Sequence, residues 1–235
     1  MTKAGIFIPS PGAVFARAIV IFPSVLFRHT AASLLRITAA VFTAVIAAYP
    51  LGVIAGLSGR GGLVISPAAY LLYPVPKIAL LPLFLLIFGI GELSRALLVF
   101  SVIFFQVLIS VRDSVRSIEK EYFTSISILG GRKYHVMRYV IWPHTLPRLL
   151  SAVRVSTATS LSVLFFAETF GTSAGLGFYI MDSWIRVAYE DMMAGILCIS
   201  LLGILLFALL DAAEKKTVCL ESCGVALFLL LKPGC

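Results

Sequence analysis

The side chains capable of covalent or metal chemistry are scattered rather than assembled. His135 and His144 flank a polar loop without metal-ligand spacing, and no nucleophile stands beside either with a base to activate it. Cys219 and Cys223 are one helical turn apart, but no His or second cysteine pair accompanies them. GTSAGLGF, residues 171–178, is glycine-rich, yet it lacks the Lys-Ser/Thr ending and the strand-to-helix setting of a phosphate loop. The sequence therefore predicts no catalytic residue, no metal site and no resident cofactor. Its usable chemistry is charge set in apolar surroundings. Lys77 stands in a run interrupted by Pro67, Pro74, Pro76 and Pro82. A cation in such a place needs a partner or a wet cavity, and proline there frees backbone groups that neighbours must satisfy. Lys77, Pro82 and, at the far end of a later apolar run, Glu168 are the candidate pathway residues.

The second concentration of charge is SVRDSVRSIEKEYFTSISILGGRKYHVMRYVIWPHTLP, residues 110–147. It carries Arg112, Arg116, Lys120, Arg132, Lys133 and Arg138, with Arg148 just beyond, against Asp113, Glu119 and Glu121. Apolar runs flank it, and a basic loop between spans is retained in the cytoplasm. Ser114 or Ser117 can cap a first short helix, whose stripe is Ile118, Tyr122, Ile126 and Leu129. Gly130-Gly131 supplies a stop. A second piece over 132–142 should end at Pro143, with Pro147 close behind. Two short amphipathic helices with a glycine elbow make a protruding knob, read here as a docking surface for a cytoplasmic partner.

These features need a membrane scaffold. Hydrophobic residues make up 60% of the 235 residues and charged residues 13%, where a soluble domain has about 25% charged. The formal charge of +8 sits next to apolar spans, so the positive-inside rule accounts for it and no nucleic-acid partner is expected. The expected fold is an all-α, multi-pass integral membrane protein with about five transmembrane helices. Residues 1–33 are expected to form an N-terminal interfacial segment, Arg17 and Arg28 reaching lipid headgroups. Residues 34–216 form the membrane domain, with spans over 34–57, 63–91 (broken), 95–111, 149–168 and 191–213, a loop at 112–148 and an outer loop at 171–190. The small residues Ala39, Ala40, Ala44, Ala47, Ala48, Gly52, Ala55 and Gly56 in the first span suit close helix packing. Arg154 is placed for snorkelling, and residues 217–235 form a tail too short to cross.

On four stretches the chain resembles the permease subunits of binding-protein-dependent ABC importers, in the nitrate, taurine and aliphatic sulfonate branch. IPSPGAVF at 8–15 is similar to that branch's entry stretch. YPVPKIALLPLFLLIFGIGELSR at 73–95 is the most specific likeness. Gly130, Val140 and Pro143 have the spacing of the family's EAA loop, and AETFGTSAGLGFYI at 167–180 resembles the stretch after the next span. The sequence departs from the pattern at Thr124, Ser125 and Ile126, which stand where the family has Glu-Ala-Ala, and at Trp142, where it has Leu. Such permeases carry a spanning helix before the first stretch, so a shortened or divergent N-terminus is expected. The resemblance implies a type I (MetI-like) bundle in the cell inner membrane. It implies a cytoplasmic ATPase that binds the ATP, an extracytoplasmic solute-binding protein, a homodimer of permease subunits and a small anionic solute such as nitrate, sulfonate or taurine. It assigns ATPase docking to Thr124, Ser125, Ile126, Gly130, Gly131, Val140 and Pro143, and predicts no catalysis by this chain.

Two other readings stay open at this point. Lys77 with Glu92 or Glu168 could form the coupling site of a secondary transporter or channel, recognisable by uptake on an ion gradient without ATP. His135, His144, Glu168 and Asp182 could serve an integral membrane enzyme, recognisable by turnover of a lipid without an ATPase. Five spans with the central loop inside place Lys3, Arg17, Arg28 and Arg36 outside, against the usual charge bias.

Overall fold

The computed structural model describes residues 9–57 and 59–230. Helices are the regular structure among the described residues: α1 (Pro11–Leu57), α2 (Gly59–Leu72), α3 (Lys77–Phe88), α4 (Glu92–Arg116), α5 (Lys120–Ile128), α6 (Lys133–Glu168), α7 (Leu176–Ile185) and α8 (Tyr189–Leu230). Four of these are long and apolar enough to cross a bilayer, and the broken pair α2/α3 makes up to five. This matches the expected count, although α1, α4, α6 and α8 outrun the spans expected at 34–57, 95–111, 149–168 and 191–213.

The extra length has local causes. Ser10 accepts the Ala13 N–H at 3.3 Å and Pro11 occupies the first turn, so α1 starts where its cap is. It passes residue 33 without a break, with Pro23 carried in a π turn, Phe22–Leu26. Its 47 residues at about 1.5 Å each come to roughly 70 Å, more than twice the ~30 Å hydrocarbon core. The helix expected to end at Pro143 does not end there. The π turn Met137–Ile141, which ends one residue short of Pro143, takes up the register change that the ring demands, and α6 runs on to Glu168. Residues 171–190 are not all loop, because α7 forms within them.

The chain divides into two compact units, and α1, α4, α6 and α8 each contribute residues to both. In the first unit, Ala18, Ile21 and Leu26 of α1 pack with Leu176 and Tyr179 of α7 and with Ala194, Cys198 and Leu202 of α8. A second cluster joins Leu81, Leu98, Val163 and Ala167 from α3, α4 and α6. In the second unit the small residues of α1 do what their spacing predicts. A Cβ on Gly52 would fall 2.9 Å from the Leu108 carbonyl oxygen, and one on Gly56 would fall 2.6 Å from Val115 Cβ. α1 and α4 therefore meet backbone to backbone through a Gly-x-x-x-Gly step, as helices do where packing rather than water drives association. Large apolar side chains such as Phe42, Leu63 and Leu86 face outward, a surface costly in water and suited to lipid.

Candidate functional site

In the second unit the knob is built as its glycines require. α5 starts from Glu119 rather than from Ser114 or Ser117. Ser114 lies inside the longer α4, and the Ser117 hydroxyl bonds back to the Ser114 carbonyl at 2.8 Å. The end of α5 is a Schellman turn: the Gly130 N–H donates to Ser127 O at 3.1 Å and the Gly131 N–H to Ile126 O at 2.9 Å. Gly130 has φ +71°, which favours glycine, and a Cβ on Gly131 would strike Ile126. Thr124 and Ser125 turn their hydroxyls onto the Lys120 and Glu121 carbonyls of the same helix. Both residues are exposed, and Ile126 is half-buried. The expected stripe splits: Ile118 is buried, whereas Tyr122 and Leu129 are exposed, Leu129 at 84%. With Ile128, Tyr134 and Tyr139 also exposed, the knob presents an uncovered apolar and aromatic surface.

The knob is rooted by α6. Val140 and Ile141 are buried at its π turn, while Pro143 is exposed just beyond. Thr145, fully buried, meets the Tyr49 hydroxyl at 3.1 Å, and Trp142 stands edge-on to the Tyr49 ring at 5.3 Å. Ser117 reaches His144 Nε2 at 3.2 Å. His144 thus braces the turn just past α4 against α6, and the structure does not bring it to His135, whose ring stacks on Tyr139 at 6.2 Å. Arg154 does not snorkel. It pairs with Asp211 at 2.5 Å and Glu214 at 3.1 Å on α8. Also in this unit, α2 is tied to α4 by Arg112, which donates to Ser66 Oγ at 3.1 Å and lies over the Tyr70 ring at 5.2 Å.

In the first unit, α3 opens with a tight turn at Lys77–Leu80, after the helical geometry lapses at 73–76. Lys77 is half-buried in that turn and Pro82 is exposed in the next. Glu168 is elsewhere in this unit and faces no open space. It is 0% exposed, and its carboxylate accepts from Arg36 Nη1 at 2.7 Å, from the Ser33 hydroxyl at 2.8 Å and from the Gly177 N–H at 2.9 Å. The last bond lies in the first turn of α7, whose N-cap, Gly175, has no side chain to give, so Glu168 caps that helix from the preceding one.

The same knot draws in His29, Ser33 and Arg95, to which the sequence patterns give no role, together with Arg36 and Glu92. Arg36 forks onto Glu92 with 2.6 and 2.7 Å bonds and also holds the Ala174 carbonyl at 2.7 Å. Arg95, buried, reaches Glu92 at 3.1 Å and the carbonyl oxygens of Phe170 and Gly171. The Leu176 N–H donates to Ser33 Oγ at 2.9 Å and the Gly175 N–H to His29 Nδ1 at 3.1 Å. The signal was present in GTSAGLG: Gly175 has φ +131°, and a Cβ there or on Gly177 would run into Glu168. Arg17, expected at headgroups, pairs instead with Asp191 at 2.6 Å. Beside it, burial pushes the Tyr179 phenol up, and the negative charge of Asp191 adds to the effect. No cluster of His, Cys, Asp and Glu fit for a metal occurs among the described residues. The side chains of Cys219 and Cys223 lie outside them.

Comparison with known proteins gives this architecture a lineage. Residues 48–218 match the family described as binding-protein-dependent transport system inner membrane component. The chain is 33% identical over 217 residues to the taurine transport system permease protein TauC of Escherichia coli K12, covering 90% of this chain and 79% of that one. It is 32% identical over 166 residues to the putative aliphatic sulfonates transport permease protein SsuC of Bacillus subtilis 168, covering 71% of this chain and 60% of that one. Its fold is similar to a chain of the inward-facing MetNI methionine ABC transporter, with a TM-score of 0.70 at 18% identity over 82% of this chain and 95% of that one. The chain therefore belongs to the binding-protein-dependent transport system inner membrane components, the permease subunits of ABC importers.

Proposed function

We propose that this permease subunit forms the path for a small anionic solute of the sulfonate, taurine or nitrate type. We further propose that the knob over 112–148 docks the cytoplasmic ATPase. The chain itself is a permease and not the ATP-hydrolysing subunit. The observation that carries the docking assignment is the exposed elbow: a glycine-terminated helix with Tyr122, Ile128 and Leu129 uncovered, in a basic loop, rooted by buried Val140 and Ile141. An uncovered apolar patch on a rigid protrusion is what a partner surface requires. Thr124, Ser125, Ile126, Gly130, Gly131, Val140 and Pro143 are its proposed residues.

Motion of the ATPase pair, driven by ATP, would be passed through the knob to the helices, and a solute-binding protein on the other side of the cell inner membrane would deliver the cargo. Lys77 and Pro82, at the break before α3, are the proposed pathway residues. Two of the similar permeases are named for taurine and aliphatic sulfonates, which supports a sulfonate-class cargo. Two copies of this chain, embedded in lipid, would complete the path.

The test is uptake into vesicles carrying this chain, its ATPase and its binding protein. ATP-dependent accumulation of labelled taurine, competed by ethanesulfonate or nitrate but not by methionine, is the expected result. Accumulation on an ion gradient without ATP would sink it.

A further inference from the structure

At the root of the knob, Tyr134, Met137, Arg138 and Trp142 line a cleft of about 370 Å³. Its aromatic walls are braced from behind. Trp142 rests against Tyr49, whose hydroxyl meets Thr145 at 3.1 Å. Tyr134 stands edge-on to His135, which accepts the Arg132 N–H at 3.0 Å. Trp142, held in this way, has less freedom to lose when something enters, while Tyr134 stands exposed opposite it. Arg138 is different. It is exposed and makes no hydrogen bond or ion pair with any described residue. Of the three carboxylates in the loop, Asp113 is already taken by Arg112. Neither Glu119 nor Glu121 forms an ion pair with Arg138, so among the described residues this guanidinium has no paired counter-charge, and it lies between Tyr134 and Trp142 in a loop of positive excess. The matching occupant is a carboxylate on a short apolar stem, since electrostatic complementarity selects partners and the planar guanidinium fork suits a carboxylate.

We infer that the cleft receives an Asp or Glu side chain of the ATPase subunit, seated on Arg138 between Tyr134 and Trp142. This rests on the docking assignment above and adds the chemistry of the partner. An acidic residue on the ATPase then selects this permease over one whose knob carries no free arginine at that place.

The experiment places Arg138→Lys chain in native membranes and treats them with a zero-length carbodiimide, which joins an amine to a carboxylate only in direct contact. In parallel, Ser125→Cys carries a photoactivatable cross-linker that captures any neighbour regardless of charge. The expected result is an isopeptide bond, absent from the parent chain, between position 138 and an Asp or Glu of a nucleotide-hydrolysing subunit, found by mass spectrometry. Arg138→Glu should lower co-purified ATPase on the order of tenfold while the chain still inserts. Capture of the ATPase through Ser125→Cys without a carbodiimide product at 138 overturns the inference and leaves the docking assignment standing. Failure of both overturns both. Quenching of Trp142 by brominated lipid in a Trp184→Phe background would put the cleft in the bilayer and would also overturn it.

Discussion

Arg36 and Glu168 meet at 2.7 Å with the carboxylate wholly excluded from solvent. The pair joins the middle of α1 to the end of α6, and through Gly177 it fixes the start of α7. A buried ion pair is weak evidence of net stability, but removing one partner strands the other charge. Arg36→Met or Glu168→Gln should each lower stability by about 3–5 kcal/mol, read as a drop in thermal midpoint of the detergent-purified chain. The double variant should cost less than the sum. Strict additivity would mean that the two side chains do not act on one another.

The elbow makes a second prediction. Gly130 has φ +71° and is exposed, with open space where a Cβ would go. Gly130→Pro forces φ to about −65° and should re-aim α5 relative to α6. Expression and membrane insertion should be retained, while uptake falls and ATP hydrolysis no longer responds to binding protein. Parental uptake in that variant would remove the knob from the coupling path.

Helix packing gives a third. Gly56→Leu places a side chain where Val115 Cβ already stands 2.6 Å away. Overpacking of this kind costs roughly 1–3 kcal/mol, and Gly12→Leu, where nothing lies within 4 Å, should cost nothing measurable. Thermal denaturation of the two variants side by side checks it.

A fourth concerns topology. In a background with Cys198, Cys219, Cys223 and Cys235 replaced, Gly12→Cys should react with an impermeant maleimide added outside intact cells. Ser125→Cys should react only after the membrane is opened. Labelling of position 125 from outside would invert the bundle and end the docking assignment.

The pathway gives the last. Lys77→Leu should lower uptake on the order of tenfold, the scale on which a focused charge concentrates an anion, without loss of expression. Unchanged uptake would take Lys77 out of the path.

Hydropathy and small-residue spacing made the membrane bundle readable, because both are properties of one chain segment facing one solvent. The glycine elbow was readable for the same reason: a Schellman turn is decided within a few residues. Helix ends were less so. Pro143 looked like a stop because a proline deletes one backbone bond, but a π turn five residues wide absorbed it, and only the surrounding packing makes that turn worthwhile.

The arginines show where sequence alone runs out. Taken singly, Arg17 and Arg154 are groups seeking water or headgroups, and Arg36 is a charge on the outer side. Read that way, Arg17 and Arg36 opposed the charge bias expected of the bundle. Their partners Asp191, Glu168 and Asp211 lie far along the chain, and it is the meeting of α1 with α6 and α8, and of α6 with α8, that neutralises them. The sequence by itself determined a basic knob on an apolar bundle, since composition and period act locally. Which charges remain free to meet a partner, Arg138 among them, was decided by the tertiary structure, because an ion pair exists only where two distant segments are brought within a few ångströms.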